Sequence, residues 1–147
     1  MALSSFTGVP TPATVTEVPK VPTQLIETKK TQQEIGIIMS TEEYVREYFK
    51  DIPIMIQVAR CESTFRQLRQ NGEVNRGRVN KADVGVMQIN EFYHLDTAEK
   101  NDFDIYTIKG NTAYARDLYM RQGTQPWSSS KPCWGKYENK ELALNSK

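Results

Sequence analysis

A glutamate at the end of an apolar, helix-like stretch is the first residue in this sequence that is suited to acid–base chemistry. Glu62 stands in residues 61–65 (Cys-Glu-Ser-Thr-Phe), and Ile54, Val58 and Cys61 before it recur at helical spacing. Glu62 therefore projects partly toward an apolar face, where burial and the negative end of the helix dipole both disfavour its charged form. We expect a raised pKa, which suits a general acid that protonates the leaving oxygen in glycoside cleavage. The alternative is a solvated glutamate at a helix end.

A second segment, residues 83–90 (Asp-Val-Gly-Val-Met-Gln-Ile-Asn), mixes polar and apolar side chains in a way that fits neither a core strand nor a surface helix. Gly85 permits close approach of another group. The amides of Gln88 and Asn90 both donate and accept hydrogen bonds, which suits the N-acetyl and hydroxyl groups of an amino sugar. If Asp83 faces Glu62 at about 5 Å, it can serve as nucleophile or electrostatic stabiliser. The alternative for Asp83 is a turn residue that bonds its own backbone.

Together the two segments resemble the working centre of the lysozyme-like superfamily. Residues 83–90 are similar to the Asp-Tyr-Gly-Ile-Leu-Gln-Ile-Asn segment of chicken-type lysozymes and to the Gly-Leu-Met-Gln motif of soluble lytic transglycosylase (SLT) domains. Glu62, Ser63 and Phe65 are similar to the Glu-Ser-x-Phe motif that carries the acid in both groups. The two motifs follow in the family's order, and the resemblance covers roughly residues 54–134.

The resemblance implies a muramidase that cleaves the β-1,4 bond between N-acetylmuramic acid and N-acetylglucosamine in peptidoglycan. Glu62 would act as general acid and base, and no cofactor or metal is expected. The implied substrate-binding or supporting residues are Ser63, Met87, Gln88, Asn90, Tyr114 and Trp127. Met87 would form a wall of the cleft, and Ser63 would support the acid.

The C-terminal part departs from the SLT pattern, because the Ala-Tyr-Asn motif is not visible there. Residues 110–119 instead resemble the family's Asn-Ile-x-x-Gly-x-x-Tyr-Leu helix. Tyr114 can supply the missing phenol and Trp127 can stack on a sugar ring, and core or rim packing is the alternative for both.

Three functions stay open at this level. A lytic transglycosylase forming 1,6-anhydro products is favoured slightly by the Met87-Gln88 pair and by the helix of Asn111. A hydrolytic lysozyme would use Glu62 together with Asp83. A non-catalytic glycan-binding subunit of a secretion or conjugation machine is the third, and a phage-borne lysis protein would share the chemistry of the first two.

The two cysteines lie on either side of the catalytic region, with Cys61 directly before the candidate acid. Some small wall hydrolases, among them the resuscitation-promoting factors, similarly carry a cysteine before their acid glutamate. A wall-active, exported protein favours a Cys61–Cys133 disulfide, whereas a reducing compartment would leave two buried thiols. The resemblance thus implies an extracytoplasmic location in the periplasm, in the cell wall or outside the cell.

Composition indicates one small domain and excludes several other function classes. The chain has 147 residues, 38% of them hydrophobic, with a net charge of +1. This balance gives no reason to expect nucleic acid as a partner. One histidine and two cysteines are too few for a typical zinc site, and no phosphate-binding glycine loop is present. Glycan strands are the expected partner, and we expect a monomer.

The chain divides into a Pro- and Thr-rich disordered tether (1–35), a lysozyme-like domain (36–136) and a polar tail (137–147). The tether would lead to a membrane anchor or wall-spanning complex, with any signal or anchor segment outside this sequence. A mainly α (α+β) fold with a small β element beside the cleft is predicted.

The turn and capping signals predict where the helices of this domain begin. A capping box at Ser40 starts a short helix, and the segment Asp51-Ile52-Pro53 is expected to cap a second helix over residues 53–63. A loop or short hairpin spans 66–82, a helical turn 96–100, and a helix 107–121 capped by Asp102 or Asp104.

Overall fold

The computed structural model describes residues 39–139, and it confirms the predicted mainly α class with a small β element. The tether at 1–35 and the tail beyond residue 139 lie outside the described residues. The α-helices are α1 (Thr41–Tyr48), α2 (Pro53–Ser63), α3 (Glu91–Lys100), α4 (Ile108–Gln122) and α5 (Lys131–Trp134). The strands are β1 (Asp83–Val84) and β2 (Ile89–Asn90), and two 3-10 helices span Gln125–Ser130 and Gly135–Tyr137.

Helix α1 begins with the predicted capping box. The Ser40 hydroxyl accepts a hydrogen bond from the Glu43 amide at 3.2 Å, and the Glu43 carboxylate accepts one from the Ser40 amide at 2.7 Å. Both orphan amide groups at the helix start are therefore satisfied locally. Val45 on the inner face of α1 is fully buried, which fixes this helix against the core.

Helix α2 has the predicted bounds and begins within the segment predicted to cap it, although the Asp51 side chain takes no part in the cap. The N-cap residue is Ile52, which makes no side-chain capping bond, and Pro53 supplies the preset backbone angle at the first helical position. The Asp51 carboxylate instead forms two hydrogen bonds of 2.7 and 2.8 Å with the Arg116 guanidinium. Arg116 also donates to the Tyr48 carbonyl at 2.6 Å, so this cation joins α4 to the turn between α1 and α2.

Two further helix starts differ from prediction because loop side chains have other partners. Thr107, not Asp102 or Asp104, caps α4 by accepting a hydrogen bond from the Gly110 amide at 3.0 Å. The Asp104 carboxylate accepts from the Tyr106 amide at 3.0 Å, within the preceding turn. Helix α3 is a full helix rather than the turn predicted at 96–100, and it begins at Glu91.

The β element is a two-stranded antiparallel sheet in which Asp83 pairs with Asn90 and Val84 with Ile89. Isolated bridges join Leu68 to Val74 and Arg76 to Val84, so residues 66–82 fold back beside this sheet as a loop with hairpin-like pairing. The polar ends of the sheet pair, Asp83 and Asn90, face the end of α2 that carries Glu62 across a common cleft.

A single core surrounds α2, because this helix is apolar on most of its circumference. Its fully buried members include Met55, Val58 and Ala59, and residues of the other elements pack around them. The large buried side chains that the other elements contribute to this core are Val45, Phe49, Phe65, Val84, Val86, Met87, Ile89, Ile105, Tyr114, Leu118, Trp127 and Trp134. No helix among residues 39–139 has the length and apolar character needed to cross a membrane.

Candidate functional site

A cleft of about 300 Å³ contains five of the residues that the sequence predicted for the site. They are Glu62, Asp83, Gln88, Asn90 and Trp127. The other predicted residues, Ser63, Met87 and Tyr114, do not line it. The rest of the lining consists of Ile89, Tyr93, His94, Leu118, Gln122, Pro126 and Ser129. The cleft is thus formed where the end of α2, the sheet and the 3-10 helix Gln125–Ser130 meet.

Glu62 has the electrostatic character expected of an acid. Its side chain is half-buried, and burial raises the pKa of its carboxyl group above the ordinary value. A hydrogen bond from the Ser130 hydroxyl, at 2.6 Å, opposes this shift, and the negative charge of Asp83 adds to it. The net direction favours the protonated acid, which is the form that can donate to a leaving group.

Asp83 and Asn90 form a connected pair on the opposite side of the cleft. The Asn90 amide donates to the Asp83 carboxylate at 2.7 Å, while its oxygen accepts from the Phe92 amide at 3.1 Å and caps α3. Asn90 was predicted to bind glycan; here its amide group holds the Asp83 carboxylate in place. Asp83 is therefore oriented by a neighbour and lines the same cleft as Glu62.

Gln88 lines the cleft from a strained backbone position. Its φ angle is +51°, in the left-handed region that non-glycine residues rarely occupy. The side-chain amide donates to the Gly85 carbonyl at 2.8 Å, which folds Gln88 back over the turn between β1 and β2. Strained residues of this kind persist where the surrounding structure holds them, and they cluster at functional sites.

The first support for this turn comes from two buried side chains on and just after α2. The Ser63 hydroxyl donates to the Val86 carbonyl at 2.7 Å, and the Gln67 side-chain oxygen accepts from the Val86 amide at 2.9 Å. Gln67 also donates to the Tyr106 carbonyl at 2.9 Å. Ser63 thus supports the turn that faces the acid, and its hydroxyl bonds backbone groups rather than the acid carboxylate.

The second support is Asn111 on α4, which is fully buried. Its oxygen accepts from the Met87 amide at 2.8 Å, and its nitrogen donates to the carbonyls of Val84 at 3.0 Å and Ile105 at 2.7 Å. Gly85 is required beneath it, because a Cβ there would lie 2.3 Å from the Asn111 amide nitrogen. The close approach expected at Gly85 is therefore an approach by a protein side chain.

Trp127 is the third support, and it is a packed residue at the cleft wall. Only 3% of it is exposed, and its indole donates to the Met87 carbonyl at 2.9 Å. Met87 itself is fully buried in the core, beneath the cleft rather than on its surface.

Tyr93, with 81% exposure, is an aromatic lining residue that is open to solvent. Tyr93 was not among the predicted site residues, although it stands only three positions after the second motif.

Tyr114 does not line the cleft, but it contacts His94, which does. It is 1% exposed, which agrees with the core alternative, and its hydroxyl lies 3.1 Å from the His94 ring nitrogen Nδ1. His94 lines the cleft, and burial together with the charge of Arg121 lowers its pKa. A neutral imidazole is therefore favoured beside the acid near neutral pH.

The predicted disulfide between Cys61 and Cys133 is confirmed. It joins the residue before Glu62 to helix α5, and so fixes the 3-10 helix Gln125–Ser130 beside the acid. This connection brings Ser130 into contact with Glu62, a contact between residues 68 positions apart. The run of three serines at 128–130 is the only sequence signal that pointed toward Ser130, and nothing in that run distinguishes it from its neighbours.

The site combines a partly buried acid, an oriented second carboxylate and exposed polar and aromatic groups. Together these groups are suited to donate a proton to a polar ligand bound in the cleft. Among residues 39–139, no group of three or more His, Cys, Asp and Glu side chains is arranged to hold a metal ion. Comparisons with models of protein families, with curated proteins and with solved structures find no match. The site and the two sequence motifs are therefore the features from which a function can be inferred.

Proposed function

We propose that this protein is a peptidoglycan-cleaving muramidase of the lysozyme-like superfamily, and that it acts as a lytic transglycosylase with Glu62 as general acid and then base. The observation that carries the proposal is the environment of Glu62. Its carboxyl group has a raised pKa, lies in a cleft and faces a turn held by buried side chains. Fixed geometry and a tuned pKa are the two requirements of general acid catalysis.

In the proposed reaction, protonated Glu62 donates its proton to the oxygen of the β-1,4 bond as that bond breaks. The carboxylate left behind then removes the proton from the 6-hydroxyl of the N-acetylmuramic acid, whose oxygen closes a 1,6-anhydro ring on the anomeric carbon. One proton leaves Glu62 and one returns to it, and no water is consumed. Gln88 lines the cleft with an amide group, and Tyr93 offers an open aromatic face for a sugar ring.

A hydrolytic lysozyme is the second candidate, and the position of Asp83 favours it. Asp83 lines the same cleft as Glu62 and is close enough for its charge to raise the pKa of that acid. A second carboxylate in this place can stabilise or attack the anomeric carbon in a retaining hydrolase. Asp83→Asn separates the two candidates, because the asparagine oxygen can still accept the hydrogen bond from Asn90. A transglycosylase keeps most of its activity in this variant, and a hydrolase loses it.

The direct test compares wild-type protein, Glu62→Gln and the matched control Glu99→Gln, whose glutamate is exposed on α3. Soluble fragments released from purified peptidoglycan and co-sedimentation with the insoluble material are measured together. We expect Glu62→Gln to bind normally and to release fragments at a rate lower by roughly 10²-fold or more, with Glu99→Gln unchanged. Equal release by wild type and Glu62→Gln would exclude Glu62 as the acid. Binding without release by the wild type would identify a non-catalytic glycan-binding subunit.

An extracytoplasmic location belongs to the same proposal. The Cys61–Cys133 disulfide supports it, because such bonds form and persist mainly in oxidising compartments. Glycan strands are the proposed partner. The Pro- and Thr-rich segment at 1–35 would connect the domain to a membrane anchor or to a wall-spanning complex.

A further inference from the structure

The Ser130 hydroxyl is surrounded by one acid, one acceptor and one donor. Its oxygen lies 2.6 Å from the Glu62 carboxyl oxygen Oε1 and 3.1 Å from the Trp127 carbonyl oxygen. The third neighbour is the indole nitrogen of Trp134, which donates to the Ser130 oxygen at 3.0 Å. All three distances are within the range of hydrogen bonds, and Ser130 is half-buried.

A count of hydrogens limits which of these bonds exist at the same time. A serine hydroxyl has one hydrogen to donate and two lone pairs with which to accept. The Trp134 indole can only donate and the Trp127 carbonyl can only accept. The single Ser130 hydrogen therefore points either to Glu62 or to Trp127, and the choice depends on whether Oε1 of Glu62 carries a hydrogen.

Each protonation state of Glu62 has a complete set of hydrogen bonds. When Glu62 is ionised, Ser130 donates to the carboxylate and accepts from Trp134. When Glu62 is protonated on Oε2, the oxygen that can donate to a leaving group, Ser130 still donates to Oε1 and accepts from Trp134. When the hydrogen is on Oε1, it is donated to the Ser130 oxygen, which still accepts from Trp134 and turns its own hydrogen to the Trp127 carbonyl. The change needs only a rotation about the Cβ–Oγ bond of Ser130, and no heavy atom has to move.

We propose that Ser130 is a positioning residue that hydrogen-bonds Glu62 in both protonation states and so keeps the carboxyl group in one place while it gives up and regains a proton. This inference rests on the proposed function, because a lytic transglycosylase uses one glutamate first as acid and then as base. The hydrogen bond between Ser130 and Glu62 is stronger when Glu62 is ionised, since hydrogen bonds to charged groups are about twice as strong as neutral ones.

The other titratable and charged groups near Glu62 belong to different elements. Asp83 faces it from β1, and His94 lines the same cleft from α3. Lys131 follows Ser130, and its ammonium pairs with Glu138 at 3.0 Å and lies 5.8 Å from the Trp134 ring. Of these groups, Asp83 raises the pKa of Glu62 through its negative charge. Among the described residues, Ser130 is the one that donates a hydrogen bond to the Glu62 carboxyl group.

The test uses the disulfide-bonded protein and the variants Ser130→Ala, Ser130→Thr and Ser128→Ala, the last as a control at an exposed serine of the same run. The Glu62 carboxyl group is titrated by carbon-13 NMR, which needs neither substrate nor activity. We expect Ser130→Ala to raise the pKa further, because the ionised carboxylate loses its hydroxyl donor, and we expect Ser130→Thr and Ser128→Ala to leave it near the wild-type value. Alanine is tolerated in the fold, since Trp134 keeps the Trp127 carbonyl at 3.1 Å as an acceptor.

Crystal structures of the wild type at pH values below and above the titration midpoint complete the test. We expect the Ser130 and Glu62 oxygens to stay within hydrogen-bond distance in both. In peptidoglycan cleavage we expect a loss on the order of 10-fold in Ser130→Ala, with an optimum moved to higher pH and recovery in Ser130→Thr. An unshifted pKa in Ser130→Ala, or a broken contact in the low-pH structure, would overturn the role of Ser130. Full cleavage by Glu62→Gln would instead overturn the proposed function and leave the NMR result intact.

Discussion

Replacing Asn111 by leucine should damage both the stability of the domain and the geometry of the cleft. Asn111 is fully buried and holds three backbone groups, the amide of Met87 and the carbonyls of Val84 and Ile105. Leucine has nearly the same size and shape but can neither donate nor accept a hydrogen bond. The three backbone groups would therefore stay buried without these partners.

The magnitude follows from the cost of unsatisfied buried groups. Each costs roughly 1–3 kcal/mol, and the apolar contacts of leucine offset a part of that. We expect the free energy of unfolding to fall by roughly 3–5 kcal/mol. For a domain whose total stability is on the order of 5–15 kcal/mol, this is a large share.

Urea unfolding of the disulfide-bonded protein, followed by tryptophan fluorescence, measures this change. The matched control is Asn101→Leu, because Asn101 is exposed and its amide makes a single bond, to the Thr97 carbonyl at 2.7 Å. We expect the control to differ from wild type by at most about 0.5 kcal/mol. Folded Asn111→Leu should also bind peptidoglycan more weakly. A loss below about 1 kcal/mol with unchanged binding would refute the idea that Asn111 fixes the turn.

Three further predictions concern charge and the disulfide. The raised pKa of Glu62 means that the folded state holds this proton more tightly, so its stabilising effect is complete below the ordinary pKa of 4.5 and is lost as pH rises through the folded pKa. Glu62→Gln should therefore gain stability relative to wild type between pH 4 and 7, and a constant difference in urea unfolding would contradict this. The pairing with Arg116 lowers the pKa of Asp51 to about 2, so its contribution is present above the ordinary 3.8 and is lost as pH falls through about 2. Asp51→Asn should lower the melting temperature at pH 6, and by much less at pH 2. The disulfide joins residues 72 positions apart, and reducing it should lower the free energy of unfolding by about 4 kcal/mol, because the bond constrains the unfolded chain. A decrease of less than about 1 kcal/mol would argue against that constraint.

Local signals in the sequence predicted the helix starts whose partners lie within one turn. The capping box at Ser40 and the proline start at Pro53 are of this kind, since both depend on neighbours in the chain. The Asp51 carboxylate of the same segment is the contrast, because it pairs with Arg116, which is 65 residues away. This contact depends on the tertiary fold, so no local pattern in the sequence indicates it.

For the candidate site, the sequence identified the groups that face the cleft better than the groups that hold them. Glu62 and Asp83 carry recognisable motifs, and the structure brings both to one cleft. Gln67, Asn111 and Ser130 act through hydrogen bonds between distant parts of the chain, so their roles depend on the tertiary fold. No spacing or periodicity in the sequence encodes such contacts, and a buried amide has the same letter as a solvated one.

The strained Gln88 and its supports give the site its rigidity. The positive φ of Gln88 is maintained by a turn whose amides and carbonyls are bound by side chains from α2, α4 and the 3-10 helix Gln125–Ser130. Three separate elements therefore fix one short segment opposite the acid. A cleft arranged in this way presents its polar groups in place before ligand arrives, which is the condition for efficient positioning of a bound sugar.

Digestion of purified peptidoglycan in water enriched in oxygen-18, with mass analysis of the released muropeptides, tests directly whether this protein is a lytic transglycosylase that depends on Glu62. We expect products with 1,6-anhydro ends and no heavy oxygen from wild-type protein, and no such products from Glu62→Gln. Heavy oxygen at new reducing ends would instead indicate hydrolysis and give Asp83 the second role. The absence of any release that depends on Glu62, with folding and glycan binding intact, would contradict the account.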